Sequence, residues 1–240
     1  MNILKIVILG AALCAAQVQA EWISVSNIRP GQLAIGIAES RIRAAALETM
    51  TEPDRRLYLE EHPMSIVLGP KGRVHLIDGH HLGYALVELE SRGVMPAKAP
   101  ATTLGDLSGL SENEFWKTMQ TRNWVYLADE HDAPIAPGDL PQNLKGLRDD
   151  RHRSLAWLLR EEGCFKNLDR PFQEFVWAQF LRKLVKVPDN RAESFRSALL
   201  AAKKLAHEPT ASELPGYKKT HNQQGHGEIS EKNERRISTL

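Results

Sequence analysis

The chain has 240 residues, of which 42% are hydrophobic, so it can bury a sizeable core in one or two domains. Its 31 basic and 30 acidic residues leave a formal net charge of only +1. This balance excludes the strongly basic class of proteins, and the overall charge gives no indication of nucleic-acid binding.

The first twenty residues have the features of an export signal. Lys5 precedes an uncharged apolar run over residues 6–16, and Val18-Gln19-Ala20 follows as a small-residue cleavage pattern. The run is shorter than the roughly 20 apolar residues that a membrane-spanning helix needs. The sequence therefore predicts a signal peptide over residues 1–20, cleavage after Ala20, and a periplasmic or secreted protein without stable membrane insertion.

Residues 21–105 alternate between strand and helix patterns, which predicts a domain of the α/β (α+β) class. Strands are expected at residues 22–28, 65–68, 74–77 and 94–103. A helix is expected in the later part of residues 32–50, and Thr51-Glu52-Pro53-Asp54 is typical of the capped start of another.

From residue 106 the pattern becomes helical, which predicts a helical C-terminal region over residues 106–206. Ser111-Glu112-Asn113-Glu114 is a capping box, and residues 129–141 form a polar loop. Further helices are expected at residues 149–162, from residue 169 onward, and at residues 190–206. Residues 207–240 are polar without apolar periodicity, which predicts a disordered tail.

The chain is organised around the turn Asp78-Gly79-His80-His81. An apolar strand precedes this turn, and apolar residues at positions 82, 85, 86 and 89 indicate a helix after it. Such a turn presents backbone N–H groups at a helix N-terminus, where anions bind readily. We expect Gly79 either to adopt a positive φ or to let the backbone approach a phosphate closely.

Together with the lead-in at residues 62–72, this turn resembles the ParB-like nuclease family of the ParB/sulfiredoxin superfamily. The resemblance extends from Val25 to Val185 and includes a second signature, Leu147 to Trp157. It implies a ParB/sulfiredoxin-like N-terminal domain, and it implies phosphate binding at the turn, because in those relatives the turn and helix start bind nucleotide phosphates. The chain departs from the pattern at Leu82, where relatives often carry an arginine.

The two histidines of the turn are the first candidates for catalysis. One of His80 and His81 could act as general acid or base near neutral pH, while the other orients the turn or binds phosphate. The alternative is that both have structural roles. Asp78 could cap the following helix, take part in the chemistry, or do both.

Other candidates come from outside the turn. The resemblance places Glu39 in the stretch where a kinase of the same superfamily has its catalytic base; the alternative is a solvated helix glutamate. Arg29 could replace the missing arginine and bind phosphate together with Gly79. Arg153 lies in a basic cluster that could contact phosphate, although Asp149 and Asp150 favour internal ion pairs or helix capping instead.

No metal-ligand set is predicted. His62, His75, Asp78, His80 and His81 are close in sequence, but none of their spacings matches a compact zinc motif. A divalent metal remains possible, and the sequence does not identify a cofactor.

The function expected from the sequence is that of an exported ParB-like nuclease or phosphoester hydrolase. It would act at the Asp-Gly-His-His turn on a phosphate-containing substrate, such as a nucleic acid or a nucleotide. The alternative is a non-catalytic protein that binds a nucleotide or a nucleic acid.

Overall fold

The computed structural model describes residues 20–168, 170–219 and 227–240. The predicted signal peptide, apart from Ala20, and the predicted helix start at residue 169 lie outside these residues. No helix in the described ranges is both long enough and apolar enough to cross a membrane.

The main sheet has five strands in the order β1-β6-β4-β5-β2, and two short strands form a separate pair. In the described residues the strands are β1 (Glu21–Ser24), β2 (Arg29–Pro30), β3 (Ala34–Ile35), β4 (Met64–Gly69), β5 (Arg73–Asp78), β6 (Lys98–Asp106) and β7 (Arg148–Asp149). The β4–β5 and β1–β6 pairs are antiparallel, whereas β4–β6, β2–β5 and β3–β7 are parallel. The four strands predicted from apolar patterning are confirmed, with shifted ends.

Helices surround this sheet and make up most of the C-terminal half. In the described residues they are α1 (Ile37–Thr49), α2 (Glu52–Glu61), α3 (His80–Ser91), α4 (Glu112–Thr121), α5 (Arg151–Glu161), α6 (Gln173–Arg182), α7 (Ala192–Leu205) and α8 (Glu231–Ile237). The predicted caps of α2 and α4 are present: Thr51 accepts from the Asp54 N–H, and Ser111 forms the capping box with Glu114. The structure confirms the predicted α/β (α+β) class.

Apolar side chains on the two faces of the sheet pack into different clusters. Leu76 of β5 packs with helices α1 and α3, which contribute Leu47 and Leu86 to that side. Val67 of β4 packs on the opposite side against Phe115 of α4. A third cluster joins the C-terminal helices and includes Ala38 and Ile42 of α1. Helix α1 therefore connects the sheet to the helical region.

The first residues of α1 are tied to the second signature. Strand β3, just before α1, pairs with β7, just before α5. Gly36 lies so close to α5 that an added Cβ would be 2.3 Å from Ser154 Oγ and 2.7 Å from the Ser154 nitrogen. A side chain at this position would therefore separate α1 from α5.

The described part of the predicted disordered tail is ordered, unlike the expectation. Helix α8 lies on the helical region with Ile237 fully buried, and Arg236 donates to Glu161 at 2.7 Å. Asn233 is also fully buried and donates to Glu162 at 2.7 Å. A helix this short needs one apolar anchor and a few polar contacts, so it leaves no apolar periodicity in the sequence.

Candidate functional site

Strand β5 ends in the predicted turn, and its geometry depends on glycine. Gly79 has φ +96°, which confirms the positive φ expected from the sequence. An added Cβ would lie 2.9 Å from the Met64 side chain. Asp78 is exposed, and its Oδ1 accepts from the Gly79 N–H at 2.7 Å. The N-cap of α3 is Gly79 and not Asp78, and no side chain caps this helix start.

His80 is buried, with 4% of its surface exposed. Its Nε2 accepts from the Gly31 N–H at 3.0 Å, and the ring also bonds to the Leu76 backbone. Burial, reinforced by the positive charge of Arg153, lowers the His80 pKa to about 3. The ring is therefore neutral at physiological pH and holds the segment after β2 against the turn.

His81 points to a different place, toward the start of α1. Its side chain is 12% exposed, and its Nε2 accepts from the Gly36 N–H at 3.2 Å. Burial lowers its pKa well below the ordinary value, and the charges of Arg153 and Arg43 add to the effect. Glu39 Oε2 lies 3.3 Å from the same Nε2. Since the ring is neutral and that nitrogen is already an acceptor, this contact is not an ion pair at neutral pH.

Glu39 is the centre of a buried polar cluster, because its side chain is only 2% exposed. Its Oε1 accepts from Arg43 Nη2 at 2.8 Å, and its Oε2 accepts from Arg153 Nη1 at 3.0 Å. Burial lowers the pKa of Arg43, but the charge and hydrogen bond of Glu39 outweigh burial and raise it overall. The predicted alternative of a solvated glutamate does not match this environment.

The cluster continues from Arg153 into α6. Arg153 Nη2 lies 3.9 Å from Glu174, which also pairs with Arg160. The Arg153 guanidinium lies over the Phe175 ring, 5.4 Å from its centroid. Its Nε is buried and has no hydrogen-bond partner among the described residues. This Nε–H donor therefore stays unused inside the cluster.

The remaining polar residues of the second signature connect helices. Asp150 caps α5 by accepting from the His152 and Arg153 N–H groups, and it pairs with Arg182 at 2.6 Å. Asp149 accepts from the Ile37 N–H at 3.1 Å, at the start of α1. The capping and ion-pairing alternative therefore describes what these two aspartates do.

Arg29 does not reach the turn. It lines a separate cleft on the α4 side of the sheet, with Arg73 and His75. Burial lowers its pKa, and the charge of Arg73 lowers it further, while Glu112 opposes the shift. The structure thus brings Glu39, His81 and Arg153 together, but leaves Asp78 exposed and Arg29 elsewhere.

The sequence reasoning missed three charged members of the cluster. Arg43 could have been found, because it lies four residues after Glu39 on the same helix, a spacing at which charges pair. Arg160 and Glu174 carry no such local signal. Among the described residues, no group of three or more His, Cys, Asp or Glu side chains is arranged to hold a metal ion.

Comparisons with known proteins place this geometry in context. Residues 22–183 match the family described as "Putative ParB-like nuclease". The crystal structure of protein Atu1540 from Agrobacterium tumefaciens is similar, with a TM-score of 0.71 and 35% sequence identity. The match covers 82% of this chain and 97% of that one. Curated proteins gave no match.

Proposed function

Since the chain belongs to the ParB-like nuclease family, we propose that it binds nucleic acid and that its signature histidines serve the fold. The observation that carries the non-catalytic form of this proposal is the environment of His80 and His81. Each ring uses Nε2 to accept a backbone N–H, and burial lowers both pKa values. A base of this kind takes up a proton poorly at neutral pH, because efficient proton transfer needs a pKa near the working pH.

A second candidate is hydrolysis of a phosphodiester, the activity expected from the sequence. It is favoured by the convergence of Glu39, His81 and Arg153, which come from three distant segments and meet around one carboxylate. The unused Nε of Arg153 could donate to a phosphate oxygen, and Glu39 could accept the proton of the attacking water. Both roles require the cluster to open, since Glu39 is almost fully buried.

Two measurements on the full chain separate these candidates. Fluorescence anisotropy with labelled single-stranded and duplex oligonucleotides measures binding, and gel electrophoresis of the same oligonucleotides measures cleavage with Mg²⁺, with Mn²⁺ and with a chelator. We expect binding that weakens with salt, because phosphate contacts release counterions. We expect no cleavage under any of the three conditions.

The variants Glu39→Gln and His81→Gln provide the controls for cleavage. Gln at position 81 keeps an acceptor near the Gly36 N–H but cannot titrate. If the wild type cleaves the oligonucleotides, and both variants still bind them but cleave about a hundredfold or more slowly, the protein is a hydrolase and the non-catalytic proposal is wrong. Absence of binding to every oligonucleotide would contradict the proposed function itself.

A further inference from the structure

Two clefts on the α4 side of the sheet share the lining residues Trp116 and Pro137, and together they make up one surface region. We call it the Trp116 groove. Its volumes are about 200 Å³ at the sheet end and about 500 Å³ along α4. Strands β2 and β5 contribute Arg29 and His75 to its lining, and the segment that contains Pro137 also lines it. None of the groove residues belongs to the Glu39 cluster.

Positive charge is in excess along this groove. Three cationic side chains and one acidic side chain line it, a formal charge of +2: Arg29, Arg73, Lys117 and Glu112. Glu112 pairs with Arg73 at 2.9 Å, and both side chains are partly exposed. The Arg29 guanidinium and the Lys117 ammonium form no hydrogen bond or ion pair with the described residues. Two cations without an ion-pair partner among the described residues, beside the Arg73–Glu112 pair, favour an anionic ligand.

A buried histidine at the sheet end has one ring nitrogen without a hydrogen-bond partner among the described residues. His75 lines the groove, is only 2% exposed, and has a buried Nδ1 without a hydrogen bond in the described part of the chain. A buried polar atom left unpaired costs roughly 1–3 kcal/mol, and most buried polar atoms in native proteins are satisfied by protein groups or ordered water. His75 is thus a second polar group that a ligand could satisfy beside Arg29.

An aromatic ring lies between the cationic ends of the groove. Trp116 is half-buried, and its ring meets His75 at 5.5 Å and 86° and Phe115 at 4.9 Å and 71°. These edge contacts fix the ring where the two clefts join. Cations along a groove with an aromatic side chain between them are the arrangement that binds nucleic-acid strands whose bases are unstacked.

We propose that the Trp116 groove binds single-stranded nucleic acid. A phosphate lies at Arg29 and Arg73, one unstacked base stacks on Trp116, and the strand continues toward Lys117. This inference rests on the proposed function and gives it a site and a preferred form of nucleic acid. A duplex fits less well, because its bases are stacked on each other and present no free face to the indole.

The test uses the full chain and a fluorescein-labelled single strand of twelve nucleotides, compared with the duplex of the same sequence. Trp116→Ala is expected to weaken single-strand binding about 5- to 150-fold, the range for loss of one stacked base. Arg29→Ala and Lys117→Ala are each expected to weaken binding and to reduce the slope of log affinity against log salt by about 0.7.

Matched controls are two residues that do not line the groove. Trp22 is 40% exposed on the edge strand β1, and Arg56 is an exposed residue of α2. Trp22→Ala and Arg56→Ala should bind as the wild type does. Thermal unfolding is recorded for each variant; should Trp116→Ala unfold, Lys117→Ala still decides the matter, because Lys117 is exposed and its truncation leaves the core intact.

The outcomes separate this inference from the proposed function. A wild type that binds neither form of nucleic acid contradicts both. If the wild type binds nucleic acid and the variants Trp116→Ala, Arg29→Ala and Lys117→Ala bind it equally well, the groove is not the binding site. The proposed function would then be unaffected. Duplex binding as tight as single-strand binding also overturns the groove, since the indole would then have no base to stack on.

Discussion

Lowering the pH from about 7 to about 5 should destabilise this protein through its buried histidines. Burial lowers the pKa of His80 to about 3 and that of His75 to about 4, whereas both return to about 6.5 on unfolding. The unfolded state therefore binds more protons in this window, and the free energy of unfolding falls as the pH falls. The stabilisation is fully present above about pH 6.5 and is lost on the way down to the folded pKa.

The magnitude follows from the width of the window. Each pH unit below the unfolded pKa costs about 1.4 kcal/mol per histidine, so each of His80 and His75 should cost about 2 kcal/mol at about pH 5. His81 acts in the same direction, because its pKa is also lowered. A loss of about 4 kcal/mol from two residues is a large part of the roughly 5–15 kcal/mol that stabilises a typical protein.

Urea unfolding at a series of pH values, followed by circular dichroism, measures this loss. In His80→Gln the amide oxygen can still accept from the Gly31 N–H, but the side chain does not titrate. The variant should show about 2 kcal/mol less pH-dependent loss than the wild type. His131→Asn is the control for the loss of a histidine, because His131 is exposed and its replacement should leave the fold intact. If His80→Gln kept the full pH dependence of the wild type, His80 would not be held neutral in the folded protein. Its pKa would then not exclude a role as general acid or base.

Glu39→Gln should cost about 3–5 kcal/mol of stability in urea unfolding, because it leaves two arginines without their buried counter-charge. The exposed Glu60→Gln should change stability by less than about 1 kcal/mol, and equal losses would mean that the Glu39 cluster is effectively solvated. Ile237→Ala should cost about 2–5 kcal/mol, against little change for the exposed Leu184→Ala; equally small losses would mean that α8 does not pack as described. Mass spectrometry of the protein from its native host should find an N-terminus at Glu21, and a cytoplasmic chain starting at Met1 would contradict export.

Local features of this chain could be predicted from the sequence. The predictions of the capping box of Ser111 with Glu114 and of the cap of Thr51 were correct, because both caps depend on residues three positions apart. The prediction of a strand, a turn and a helix around Gly79 was also correct, because the apolar pattern that indicates them is local. Helix α8 was missed, since the burial of Ile237 depends on distant helices.

The candidate site was predictable only in its residue types. His80 and His81 bond to N–H groups 49 and 45 residues earlier in the chain, and no local pattern reports such partners. The sequence selected Glu39 and Arg153 as candidates for chemistry, but it could not show that they bond to each other. Arg29 was assigned to the turn, whereas the pairing of β2 with β5 sets it beside His75 in the groove. Register between strands that are far apart in sequence decides such placements.

The bond between Glu39 and Arg153 has a consequence for the order of events during synthesis. The two residues are separated by 114 positions, so Glu39 leaves the ribosome long before its partner exists. At roughly 5–20 residues per second, the delay is on the order of 6–20 seconds. During that time α1 carries a carboxylate that the finished protein buries against two arginines, only one of which, Arg43, has been made. The buried ion pairs of Glu39 are therefore complete only after the second signature has been synthesised.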